Sequence, residues 1–126
     1  MTRAVVVLSG GGAKAAAHAG AVQALREAGI EPARFVATSM GAVVAAALAA
    51  GVQPSDVPDR LAVAGPAGVR PHPLTVVGGL YLEGLLQTAP FRAALRRVVP
   101  CDRFADLRVP LTVTAVDIFR LDLIRF

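Results

Sequence analysis

Two short segments carry residue types and spacings suited to acyl transfer. Ser9-Gly10-Gly11-Gly12-Ala13-Lys14-Ala15 follows an apolar run and precedes an alanine-rich one, and Ala37-Thr38-Ser39-Met40-Gly41-Ala42 stands at a second such junction. Glycines let backbone N–H groups converge without a Cβ in the way. A helix starting just behind them adds the positive end of its dipole, so the first segment is a candidate anion hole. A serine at the tip of a sharp strand-to-helix turn holds its hydroxyl clear of the sheet, as in a nucleophile elbow, and a small neighbour such as Gly41 lets that turn close. Each segment also has a plainer reading. The first is a βα turn, and Ser39 is an ordinary helix N-cap. In combination they supply both parts of acyl transfer, a nucleophile and donors for the oxyanion.

Two phosphate-binding patterns compete for the glycine segment. A P-loop ends in Gly-Lys-Ser/Thr, whereas Lys14 stands between Ala13 and Ala15. The dinucleotide pattern is met formally by Gly10, Gly12 and Ala15, but it also needs an acid at the end of the second strand to hold the ribose. That strand ends Ala37-Thr38-Ser39, and Glu31 lies before it, on the wrong side.

The elements that must position these residues follow from the hydrophobic pattern. Ala4 to Leu8 is a short β-branched run of the kind buried on both faces of a parallel sheet. Ala13 to Ala28 reads as a helix closed by Gly29, Phe35 to Thr38 as a second strand, and Ser39 to Ala50 as a helix ended by Gly51. Prolines then punctuate the chain. Ser55 starts a short helix reaching Val63, a loop runs from Gly65 to Pro73, and Gly78 to Val99 is helical in one or two pieces. Leu74 to Leu86 reads as a core helix or, alternatively, as the lining of an acyl pocket or lid. Val109 to Val116 is a third strand and Leu121 to Phe126 a fourth. The pattern predicts one α/β domain over residues 1–126, three-layered, with a central, mostly parallel sheet and helices on both faces.

Composition narrows the function classes. The chain has 126 residues, 55% of them hydrophobic and 17% charged, which excludes a disordered tail. One cysteine and two histidines leave no framework for disulfides or a metal cluster, so neither metal nor cofactor is expected. The net charge is +4, but all basic residues except Lys14 are arginines dispersed along the chain. Few aromatics and no basic cluster argue against nucleic acid as a partner. The charge is a solvated surface, or a mild attraction to anionic membranes. No targeting segment stands out and Cys101 fits a reducing compartment, so a cytoplasmic location is expected, with peripheral membrane contact as a further expectation.

The paired motifs resemble the patatin-like phospholipase family. The stretches that carry the likeness are Leu8 to Lys14, His18-Ala19-Gly20, Glu27-Ala28-Gly29-Ile30 and Thr38-Ser39-Met40-Gly41-Ala42. Further on come Gly79-Leu80-Tyr81, Phe104-Ala105-Asp106-Leu107, Val109-Pro110-Leu111 and Thr114-Ala115-Val116-Asp117. The resemblance implies a patatin-like fold and a serine lipid acyl hydrolase with a Ser–Asp dyad, acting on phospholipid or other lipid esters. It matches Ser39 to the nucleophile, Gly10, Gly11 and Gly12 to the oxyanion loop, and Lys14 to that loop's basic position, with Gly41 in support.

The family's activating Asp lies in an Asp-Gly-Gly/Ala motif, and this chain contains no Asp-Gly dipeptide. By that comparison the fold is incomplete at its C-terminus, lacking the segment with the catalytic Asp. Ala15 and Ala37 stand where the family has glycine, and are expected to crowd the two loops. Arg120 and Leu121 replace a Thr-Gly turn, removing the usual hairpin chemistry. His18, His72 and Asp117 are the substitutes for a base, each more readily explained by a structural role. Asp102, Asp106 and Asp122 read as solvated or capping acids, and Cys101 as inert. The expected function is therefore a lipid acyl hydrolase, weak or inactive in this form. The rivals are a lipid-binding pseudoenzyme, a nucleotide-binding module, and an acyltransferase using His as base.

Overall fold

The computed structural model describes residues 1–65 and 88–126. The expected loop at 66–73 with His72, the apolar stretch 74–86 and the first part of the 78–99 helix lie outside the described residues. The elements, in order, are β1 (Thr2–Leu8), a 3-10 turn (Gly12–Ala16), α1 (Ala17–Glu27), β2 (Ile30–Thr38) and α2 (Met40–Ala49). A second 3-10 turn (Pro54–Asp56) leads to α3 (Val57–Ala64), and α4 (Thr88–Val98) follows. A third 3-10 turn (Phe104–Asp106) precedes β3 (Leu111–Asp117) and β4 (Asp122–Arg125).

The strands form one sheet in the order β1-β2-β3-β4. β1 pairs with β2 and β2 with β3 in parallel, whereas β3 and β4 form an antiparallel hairpin. The α/β class and the mostly parallel sheet expected from the sequence are both present. Leu8 aligns with Ala37 and Thr38 with Thr114, so β1 and β2 end within one residue of each other, while β3 runs on to Asp117. Loops leaving that end converge on one site, the usual place for chemistry in an open α/β sheet.

β2 begins earlier than the sequence pattern implies, at Ile30 rather than Phe35. Glu31 and Pro32 pair with Arg3 and Ala4 of β1, while β3 joins β2 only from Phe35 onward. Pro32 therefore sits where one side of β2 is a sheet edge, and its missing N–H costs no ladder bond. A register shift between Ala4 and Val5 follows immediately. The predicted helix 13–28 is likewise divided. Gly12 to Ala16 winds as a 3-10 turn, and the α-helix proper begins at Ala17.

The core lies between α1, α2 and one face of the sheet. Phe35, Val22, Val44 and Leu48 are fully buried there, and each such side chain contributes roughly 1.5–3 kcal/mol. The uncharged stretch after Phe35 is thus a buried strand and a buried helix. Arg108 and Val109 both donate their N–H groups to the Ala49 carbonyl, at 2.8 and 3.2 Å, which ties the end of α2 to the approach to β3.

Among the described residues, no helix covers the opposite face of the sheet. Val5 is 59% and Val7 71% exposed, and Val116 and Leu123 share that face by alternation. Arg34 reaches across it, donating to the Thr112 hydroxyl at 3.2 Å. β1, expected to be buried on both faces, is therefore buried on one, and among the described residues helices cover that face only. A continuous Val-Val-Val run shows that β-structure forms; it does not show what covers each face.

Candidate active site

Ser39 stands at the junction of β2 and α2, with φ 53° and ψ −136°. This is a left-handed, strained conformation for a residue with a side chain, and it throws the chain sharply from strand to helix. An ordinary N-cap sits in the extended region and accepts a backbone N–H through its side chain. Ser39 does neither: no side-chain cap bond forms at the start of α2, and the residue is exposed.

The close approach of α2 to the end of β1 explains Gly41. A Cβ built at Gly41 would lie far inside contact distance of the Ser9 and Leu8 carbonyl oxygens. Only glycine lets the first turn of α2 slide under the glycine loop. Gly10 meets a second steric limit, because a Cβ there would stand 3.0 Å from the Ser39 Cβ and 3.5 Å from its Oγ. The loop and the elbow are thus brought together as the sequence anticipates. Neither the Gly10 nor the Gly11 N–H is given to a backbone acceptor among the described residues. Lys14 is exposed, and its backbone N–H donates to the Gly11 carbonyl at 3.1 Å, closing the turn.

Ala15 and Ala37, expected to crowd the loops, are instead buried members of the core cluster. Their methyl groups point into apolar packing, where they add contacts.

Of the candidate bases, His18 and Asp117 are already engaged, and His72 lies outside the described residues. His18 places Nε2 2.9 Å from the Ser9 carbonyl oxygen. A carbonyl only accepts, so Nε2 carries the proton and donates. Asp117 accepts two backbone N–H groups through Oδ1, from Phe119 at 2.9 Å and Arg120 at 3.1 Å. This Asx-type turn closes the β3–β4 hairpin, with Leu121 at φ 55°. The hairpin expected to lack its turn chemistry therefore forms by another route. Asp102 pairs with Arg96 and Asp106 with Arg103, at 3.2 and 3.4 Å. Glu31 lies at the far end of β2 from the glycine loop and pairs with Arg26 at 3.5 Å, so it holds nothing near Gly10.

Two cavities flank the elbow. One, of about 640 Å³, is lined by Ser39, Val43, Val99 and Val113, together with Arg92 and Arg96 of α4. The other, of about 620 Å³, is more apolar and runs past Gly12, Met40, Leu61, Ala94 and Val98. Both fall in the size range of small-molecule sites. The two arginines beside Ser39 were not singled out in the sequence. Their signal was the four-residue spacing, which puts both on one face of a helix.

The profile of the patatin-like phospholipase family matches residues 6–121, and the chain belongs to that family. It is also similar to uncharacterized NTE family proteins of Mycobacterium bovis and Mycobacterium tuberculosis, with 47% identity over 51 residues. The matched stretch covers 40% of this chain and 9% of each relative, so the chain spans only a small part of the proteins it resembles. Among the described residues, no helix is long and apolar enough to cross a membrane.

Proposed function

We propose that this chain carries the nucleophile and oxyanion half of a serine acyl hydrolase acting on phospholipid or other lipid esters. The observation that carries the reading is the elbow itself: a strained, exposed, uncapped Ser39 pressed against Gly10. In the reaction Ser39 Oγ bonds to the ester carbonyl carbon, and the Gly10–Gly12 amides hold the resulting oxyanion. Collapse expels the alcohol, which takes up a proton, and leaves an acyl-enzyme. Water then releases the fatty acid and restores Ser39. The more apolar cavity beside Met40 suits an acyl chain, and Lys14 with the dispersed arginines favours an anionic lipid surface.

The Ser39 proton needs an acceptor. The family's Asp-Gly motif is not among these 126 residues, and His18 and Asp117 are engaged elsewhere. On this reading the chain by itself turns over slowly or not at all. The same observation favours a second reading, lipid binding without hydrolysis. Intact mass after exposure to a fluorophosphonate probe tests the first, with Ser39→Ala as control. One adduct, lost in the control, supports an activated Ser39. No adduct on folded protein, together with saturable binding of phospholipid vesicles, supports the second. Neither labelling nor binding would overturn both.

A further inference from the structure

We infer that His18 is a positioning residue for the oxyanion loop, acting through the Ser9–Gly10 peptide; the inference rests on the acyl-transfer reading. Ser9 O is held on two sides. The His18 Nε2–H donates to it at 2.9 Å, and Gly41 of α2 packs so close to it that no side chain fits between. The peptide is trans, so the N–H of Gly10 points opposite to that carbonyl. Fixing Ser9 O therefore fixes the direction of the Gly10 N–H, and Gly10 is the glycine that lies against Ser39. The N–H has no backbone acceptor among the described residues, as an oxyanion donor waiting for substrate would not.

The loop needs such an anchor. Gly10, Gly11 and Gly12 in succession are conformationally permissive, and a donor helps catalysis only if it is preorganised where the charge develops. His18 sits in the first turns of α1, whose Ala19 and Val22 are fully buried. A side chain on that rigid helix turns a loose loop into a defined one. The Nε2-protonated ring does this without acting as a base, which separates the role from proton transfer to or from Ser39.

The test is solution NMR of the whole chain, with His18→Phe and His18→Gln. In the parent protein the ring nitrogens report a proton on Nε2; a proton on Nδ1 alone overturns the inference without any variant. His18→Phe is expected to shift the Gly10, Gly11 and Ser39 amide signals while Val22 and Leu25 keep theirs. His18→Gln, which can still donate, restores the loop signals. Loop amides unmoved by Phe, or loop and helix disturbed alike by both variants, would mean a packing role only. Alongside, the rate of Ser39 labelling falls about tenfold in His18→Phe, the worth of one hydrogen bond, and stays within about twofold in His18→Gln. The amide signals read the loop whether or not Ser39 reacts, so failure of the hydrolase reading and failure of this one are distinguishable.

Discussion

Gly10 and Ser39, from different loops, approach so closely that a methyl group on Gly10 would stand 3.0 Å from the Ser39 Cβ. The contact holds the glycine loop and the elbow in fixed relation, and it leaves room for hydrogen alone.

Gly10→Ala should therefore separate the two loops while sparing the core. We expect probe labelling of Ser39 to fall about tenfold or more, at a stability cost of roughly 1–2 kcal/mol from local overpacking. Labelling kinetics and urea denaturation check both. Unchanged labelling would mean that the approach of the loops does not matter to Ser39.

Gly41 and Gly20 make a contrasting pair. A Cβ at Gly41 meets two backbone carbonyl oxygens that cannot move without shifting β1, whereas one at Gly20, on the exposed side of α1, meets nothing. Gly41→Ala should destabilise by about 3 kcal/mol. Gly20→Ala should stabilise by about 0.5–1 kcal/mol, through helix propensity and lower unfolded-state entropy. Equal effects of the two in chemical denaturation would contradict the packing of α2 under Ser9.

Ser39 holds a backbone conformation that costs a residue with a Cβ about 1–3 kcal/mol. Ser39→Gly should raise the unfolding free energy by about 1 kcal/mol or more, while Ser39→Ala leaves it nearly unchanged. Both remove the labelled hydroxyl. A strained residue whose relief abolishes reactivity is the pattern of a functional site traded against stability. Thermal unfolding of the three proteins side by side decides it.

Asp117 closes the β3–β4 turn with two hydrogen bonds. Asp117→Ala should lower stability by about 1–2 kcal/mol, and Asp117→Asn, which keeps an acceptor oxygen, by less. Labelling of Ser39 should be the same in both as in the parent protein. Loss of labelling in Asp117→Asn with stability retained would instead make this carboxylate the missing base.

The two segments were legible along the chain as strand-to-helix junctions because that depends on local order: glycines before a helix, and a serine with a small residue two places on. The alternation of apolar runs likewise announced each strand. Local pattern also misled. The second strand reads as starting at Phe35, although β2 begins at Ile30 and passes through Pro32 where β3 has not yet joined. Arg120 and Leu121 read as a lost turn, although Asp117 supplies one through its side chain.

The rest was decided by distance through space. The spacing of residues 9 to 18 says nothing about whether a helical histidine reaches back to a carbonyl, because that depends on how α1 leaves a 3-10 turn. Likewise no residue type distinguishes the covered face of β1, with Val6 and Leu8, from the open one, with Val5 and Val7. Burial is a property of what packs against a side chain, and the packing partners lie far away in sequence.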